Sequence, residues 1–164
     1  MALLRGGVEA VRVEKLARAL GVTKGSFYWH FTDRTELLES LLREWENEVP
    51  EILQQIGPES AERKFRALAR LVEQRARLSE DGKVPSDAAI FAWASVDPAV
   101  ARRVNRAEEV RIRLLKRILG HWDRIELVYL VWLGFVARGQ RVPATRRRFP
   151  EIARMMRELA SSRK

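Results

Sequence analysis

Between Lys24 and Arg34 the chain reads KGSFYWHFTDR, and here its residue types are best suited to chemistry on a partner. If the stretch is helical, Phe27 and Phe31 stand four residues apart on one face, which turns them toward a core and fixes the rotation of the helix. Trp29 then lies about 200° round from Phe27, with Tyr28 and His30 about 100° to either side of it. Three large rings fan out away from the core. An isolated domain gains nothing from such exposure, so this face is a binding surface. Lys24, Gly25 and Ser26 occupy the first turn, where unpaired backbone N–H groups and the positive end of the helix dipole face outward. Gly25 costs about 1 kcal/mol in a helix interior relative to alanine, and close approach of a partner explains its presence. Phosphate is the partner that fits such a helix N-terminus, and in the recognition helix of a DNA-binding motif the N-terminal residues reach base edges in the major groove. Arg34, opening the following helix, adds a fixed cation beside a second helix N-terminus.

The elements that must position this face are built from very little material. Two helices of about two turns each, within Glu14 to Phe31, cannot be stable alone, so each must pack on the other and on a third. Ala17 allows close approach where the axes cross, and Leu16 and Leu20 flank it to fill the core. Gly21 permits the left-handed residue that ends the first helix, Val22 packs back onto it, and Thr23 caps the next. Helix, glycine turn and capped helix make a helix-turn-helix.

The whole chain has 164 residues, enough for one domain or one with a small appendage. Its net charge of +9 points to a polyanionic partner only until its distribution is examined. Residues 1–50 carry 7 basic and 8 acidic side chains, residues 51–100 again 7 and 8, and residues 101–164 carry 17 and 6. The excess is C-terminal, so DNA binding by the N-terminal third rests on geometry and not on charge. Absence of cysteine removes disulfides, cysteine zinc sites and thiol chemistry. The longest apolar run, Leu127 to Ala137, is too short to cross a bilayer, and no signal peptide is visible. A cytoplasmic protein with no membrane partner is expected.

Apolar residues recur with helical period almost everywhere, and no stretch alternates as a strand does, so the fold class is all α. Helices are predicted over about Val13–Leu20 and Lys24–Phe31, and from Arg34, behind Thr32 and a capping box of Asp33 and Glu36, until Pro50 ends the pattern. Gly57-Pro58 precedes a long amphipathic helix closed by Ser79-Glu80-Asp81-Gly82, and Ser86 caps a shorter one. Asp97-Pro98 opens a helix that runs to Leu119 before Gly120. Asp123 caps an apolar helix ending at Gly139, and a terminal helix is entered through Pro150.

The stretch from Gly7 to Leu42, about the first quarter of the chain, resembles the DNA-binding domain of TetR-family transcriptional regulators. The resemblance rests on Gly21-Val22-Thr23, Gly25-Ser26-Phe27-Tyr28, His30-Phe31, a basic residue and a Leu-Leu pair. It implies that Tyr28, His30 and Arg34 contact backbone phosphates, and that Thr23, Lys24, Gly25, Ser26 and Trp29 are placed at phosphates or bases of a double-stranded operator. Arg34 stands where the family usually has lysine. It also implies a complete first helix, whereas Ala2 to Leu4 stand almost at such a helix's end. Either the numbered start is not the natural one or the domain lacks part of its support. The expected division is a helix-turn-helix domain over 1–46, its first helix shortened, and an effector-binding and dimerisation domain over 47–164.

Leu127 to Ala137 is apolar all round and needs partners on every side, which predicts a homodimer. Its interface would include Leu127, Leu130, Val131, Leu133 and Gly134, with Ile152, Met155, Met156 and Leu159 from the terminal helix; the alternative is a helix buried inside the monomer. Phe65, Phe91, Trp93 and Trp122 could line a cavity for a small-molecule effector or be ordinary core. Arg146-Arg147-Arg148 reads as a solvated loop, an interface rim or an extra nucleic-acid contact, and His121 as a surface residue. No paired histidines, nucleophile motif or phosphate-cradling loop suggests catalysis, a metal or a cofactor. The function expected is a ligand-responsive repressor that binds a palindromic operator as a homodimer. The rival is a ligand-binding or scaffold dimer that has lost DNA binding.

Overall fold

The computed structural model describes residues 8, 11–54, 56, 60–80, 86–120 and 124–161. The readings made for Ala2 to Leu4, Gly57-Pro58, Asp81-Gly82, His121, Trp122 and Asp123 lie outside these residues. Among the described residues there are α-helices and no strands.

Helix α1 spans Val13–Leu20 and ends as glycine allows: Gly21 adopts φ 68°, its N–H donates to the Arg18 carbonyl, and the Val22 N–H donates to the Ala17 carbonyl. These two bonds are the Schellman pattern and satisfy carbonyls the helix would otherwise leave open. Helix α2, Lys24–His30, is capped by Thr23, whose Oγ1 accepts from the Ser26 N–H at 3.1 Å. Helix α3, Arg34–Gln54, starts behind Asp33, whose Oδ1 accepts from the Glu36 N–H at 2.8 Å. The Glu36 carboxylate reaches back to both the N–H and hydroxyl of Thr32, and these hydrogen bonds hold its pKa below the ordinary carboxylate value.

Pro50, expected to end this helix, lies inside it. A proline removes its own donation to the carbonyl four residues back and strains the turn, at about 3 kcal/mol. The helix persists because Leu38, Leu42 and Trp45, all buried, anchor its preceding three turns in the core. One continuous helix therefore crosses the expected domain boundary at residues 46 and 47.

The chain continues through α4 (Ala61–Glu80), α5 (Asp87–Ala94), α6 (Pro98–Leu119), α7 (Ile125–Arg141), a 3₁₀ segment (Pro143–Arg148) and α8 (Phe149–Ser161). Asp97 caps α6 by accepting from the Ala99 and Val100 N–H groups at 2.9 and 3.2 Å, with Pro98 in the first helical position. Helix α7 runs two residues beyond Gly139.

One apolar cluster joins Val11 to Leu38, Leu42 and Trp45 of α3, Ile90 and Trp93 of α5, and Val100, Val104 and Ala107 of α6. The N-terminal helices thus share a core with the rest of the chain through α3. A second cluster joins Phe65 of α4 to Leu119 and Ile125, with Met156 of α8 against it. Leu20, expected in the core, is 74% exposed. It is the last residue of α1, where the chain already turns toward α2, while Leu16 one turn earlier packs on the first cluster.

Between the clusters sits a buried ionic knot. Asp87 accepts from the Trp45 indole N–H at 2.7 Å and pairs with Arg75 at 2.9 Å; Arg75 also pairs with Glu48 at 2.9 Å. Arg111 donates to the Trp45 carbonyl at 2.7 Å, lies 3.9 Å from Asp87, and stacks its guanidinium 3.8 Å from the Trp45 ring centre. Arg103 ties α6 to α3 separately, with a bidentate pair to Glu46 and a further bond to Glu39.

Candidate functional site

The outward face of α2 is as its spacing predicts. Phe27 is buried and packs edge-on to Tyr28 and against Phe31, with ring centres 5.3 and 5.4 Å away, which locks the rotation of the helix. Trp29 is 89% exposed, Tyr28 56% exposed, and His30, Lys24, Gly25 and Ser26 are exposed. Thr23 binds Ser26 twice, through the backbone N–H and through the two hydroxyls at 3.2 Å, so both side chains are held at the start of the helix. Gly25 does not have a positive φ, and a Cβ built on it would meet only Thr23 Oγ1, at an ordinary 3.5 Å. The fold itself does not require glycine there.

Two residues behave otherwise than expected. Arg34, anticipated at a phosphate, is half-buried, with Nε donating to the Val11 carbonyl at 2.7 Å and Nη2 to the Val8 carbonyl at 2.5 Å. A cation in the first turn of a helix is disfavoured by the dipole, and the two carbonyls compensate it. The guanidinium fork can take two acceptors at once, which the lysine usual in the family cannot do in a fixed geometry. Arg34 is thus a strut between the segment preceding α1 and the start of α3. Glu14, unnoticed in the sequence, holds Lys24 at 2.9 Å across the two helices, and that hydrogen bond keeps the Glu14 carboxyl below its usual range. Nothing in the local sequence signals a pair ten residues apart on different helices.

Residues 1–41 match the family model described as bacterial regulatory proteins, tetR family. This segment is a tetR-family domain. The chain is accordingly a DNA-binding transcriptional regulator. No curated protein and no solved structure matches it. In the tetR-family head, Lys24 is the cation of α2 and Glu14 partly neutralises it. Replacing Glu14 with glutamine is therefore expected to tighten binding to any duplex and to steepen the fall of log affinity with log salt by up to about 0.9, the share of one phosphate contact. Fluorescence anisotropy on a random-sequence duplex at several salt concentrations measures both.

Behind the tetR-family head, α3 to α8 enclose about 830 Å³ of atom-free space, part of it open to solvent. Phe65 lines it, as expected, but Phe91 and Trp93 do not: both pack in the first core cluster, Phe91 edge-on to Trp45 at 6.0 Å. Helix α5 packs chiefly on α6, with Phe91 and Trp93 turned into the first core cluster, and of its residues only Asp87 at its start lines the cavity. The lining that the sequence reading missed includes Tyr129, Trp132 and Phe149, along with Arg75, Asp87 and Arg111 of the knot. Burial raises the pKa of Glu48 and of Glu108, and it pushes the Tyr129 hydroxyl up to about 12.

On α7, Val128 and Tyr129 face inward, while Leu127, Leu130, Val131 and Gly134 lie exposed on the other side, Leu130 to 61%. Leu133, Ile152 and Leu159 are half-buried and Met155 is 52% exposed. Met156, expected with them, is turned the other way: it packs on the second core cluster and lines the cavity, since adjacent helical residues point about 100° apart. Arg146, Arg147 and Arg148 form part of the exposed 3₁₀ segment, with Arg148 bonded to Glu151. Among the described residues no helix is long and apolar enough to cross a membrane.

Proposed function

We propose that this regulator is a ligand-responsive repressor that binds a palindromic operator in the cytoplasm as a two-fold homodimer. The observation that carries the reading is the orientation of α2, with its Phe27 face buried and Tyr28, Trp29 and His30 presented outward behind a capped first turn. A dimer is supported by the exposed apolar side of α7, where a Cβ on Gly134 would meet nothing within 4 Å and a second helix has room to approach. An isologous contact there sets two reading heads side by side, as two half-sites one helical turn apart require.

The switch works through α3. At one end Arg34 ties this helix to the segment preceding α1, and near the other Trp45 and Glu48 join the knot while Val49 lines the cavity. An effector that fits one position of α3 better than another shifts the spacing of the heads, and its differential affinity is the coupling free energy. The test is a mobility-shift titration on the duplex upstream of the protein's own coding region, with random-sequence duplex as competitor. Selective binding by two chains per duplex is expected. Equal affinity for both duplexes, or a monomer bound to the preferred one, overturns the reading.

A further inference from the structure

The charged residues that line the cavity, Arg75, Asp87 and Arg111, are gathered at one polar end, and each is already spent on the chain itself. Asp87 accepts from the Trp45 indole and from Arg75, Arg75 also pairs with Glu48, and Arg111 donates to the Trp45 carbonyl. Their side chains are between 4% and 9% exposed. The Arg111 Nε–H meets no acceptor, but it is sealed inside the knot, so nothing that enters the cavity reaches it. The Tyr129 hydroxyl is likewise engaged, by Glu108 and Arg111. What is left to touch a ligand is almost wholly carbon, from residues such as Phe65, Leu68, Leu115, Val128, Trp132 and Phe149.

A wall of this kind restricts its occupant by what it cannot offer. A ligand carbonyl or hydroxyl gives up its bonds to water on entry and finds no partner in exchange, which weakens binding by about tenfold or more. An ion fares worse, because its charge leaves water while every neighbouring charge is already paired. A methylene or a ring loses nothing of this sort and gains by leaving water. Phe65, Trp132 and Phe149, from three different helices, add ring faces and edges to that gain.

Resting on the reading of this cavity as the effector site, we infer that the effector is an uncharged, hydrocarbon-like molecule held by shape and apolar contact, with no hydrogen bond to the cavity wall. The test uses the full chain and four probes of matched size: butylbenzene, benzylacetone, hydrocinnamate and phenylpropylamine, titrated by calorimetry. One butylbenzene per chain is expected, bound at least about tenfold tighter than benzylacetone, whose carbonyl finds no donor. The carboxylate and the ammonium are expected to bind more weakly still. Ala153→Phe, which puts a ring into the cavity wall from α8, abolishes binding of butylbenzene, and Ala69→Phe does the same from α4. Binding that persists in either folded variant places the probe elsewhere and overturns the inference; should neither variant fold, the ranking on the unaltered chain decides alone. Benzylacetone bound as tightly as butylbenzene, or tightest binding by either ion, shows that the wall supplies a polar partner and overturns the inference while leaving the cavity as a ligand site. Failure of all four to bind overturns both. Binding in the expected order without release of the operator duplex upholds the ligand class and refutes the coupling proposed above.

Discussion

Asp87→Ala is expected to destabilise the folded chain by about 3–5 kcal/mol, the range found when one partner of a buried ion pair is removed. In the intact protein this carboxylate receives the Trp45 indole N–H at 2.7 Å and Arg75 at 2.9 Å, with Arg111 3.9 Å away. Its loss strands an indole donor and leaves two buried guanidiniums with less compensation than they had. Glu48 still holds Arg75, but burial already disfavours the charge on Glu48. The substitution Asp87→Asn keeps an acceptor for Trp45 and should lose less, about 1–2 kcal/mol. Urea unfolding followed by tryptophan fluorescence, at one fixed protein concentration, gives both values as shifts in midpoint. A loss below 1 kcal/mol for the alanine variant would mean that water or rearrangement satisfies the arginines, and the knot would then not be what fixes α3 against α5 and α6.

The second large effect concerns assembly. Leu130→Glu places a charge on the exposed apolar side of α7 without touching the inward residues Val128 and Tyr129. On the proposed homodimer, the expected outcome is a folded monomer, with helical circular dichroism retained and half the mass of the unaltered protein in sedimentation. Loss of the second head removes the effective-concentration advantage of two linked binding modules, so operator affinity should fall by about 10²–10⁴-fold. Binding to random-sequence duplex should fall far less, since each head keeps its own phosphate contacts. A variant that stays dimeric would show that this side of α7 is not the interface. A monomer that keeps full operator affinity would show that one head suffices.

The fate of particular residues shows what kind of information a sequence holds. The reading head was legible because its signals are local. Gly21 ends a helix through bonds to Ala17 and Arg18, Thr23 caps Ser26 three residues on, and Asp33 caps Glu36 at the same distance. Each is settled within one turn of chain. The same holds for the rotation of α2, since Phe27 and Phe31 turn inward as their spacing requires and carry Trp29 outward. Where one-turn reasoning met a competing long-range interaction, it failed. Pro50 was overridden by packing elsewhere on α3, Leu20 found nothing to cover it, and Arg34 turned to carbonyls 23 and 26 residues away.

The cavity was the least legible part for the same reason. Phe91 and Trp93 have the ring chemistry of a pocket, yet the packing of α5 on α6 turns them into the core. The groups that do shape the polar end come from separate helices: Trp45 meets Asp87 across 42 residues and Arg111 across 66. By itself the sequence determined the all-α class, the helix-turn-helix, and the ring face of α2, because caps, turns and helical periodicity act over three or four residues. The tertiary structure alone decided which charges are buried together, which aromatics line the cavity, and which of Met155 and Met156 faces inward. Those outcomes depend on how whole helices cross, and no spacing along the chain encodes the partner a side chain meets on another helix.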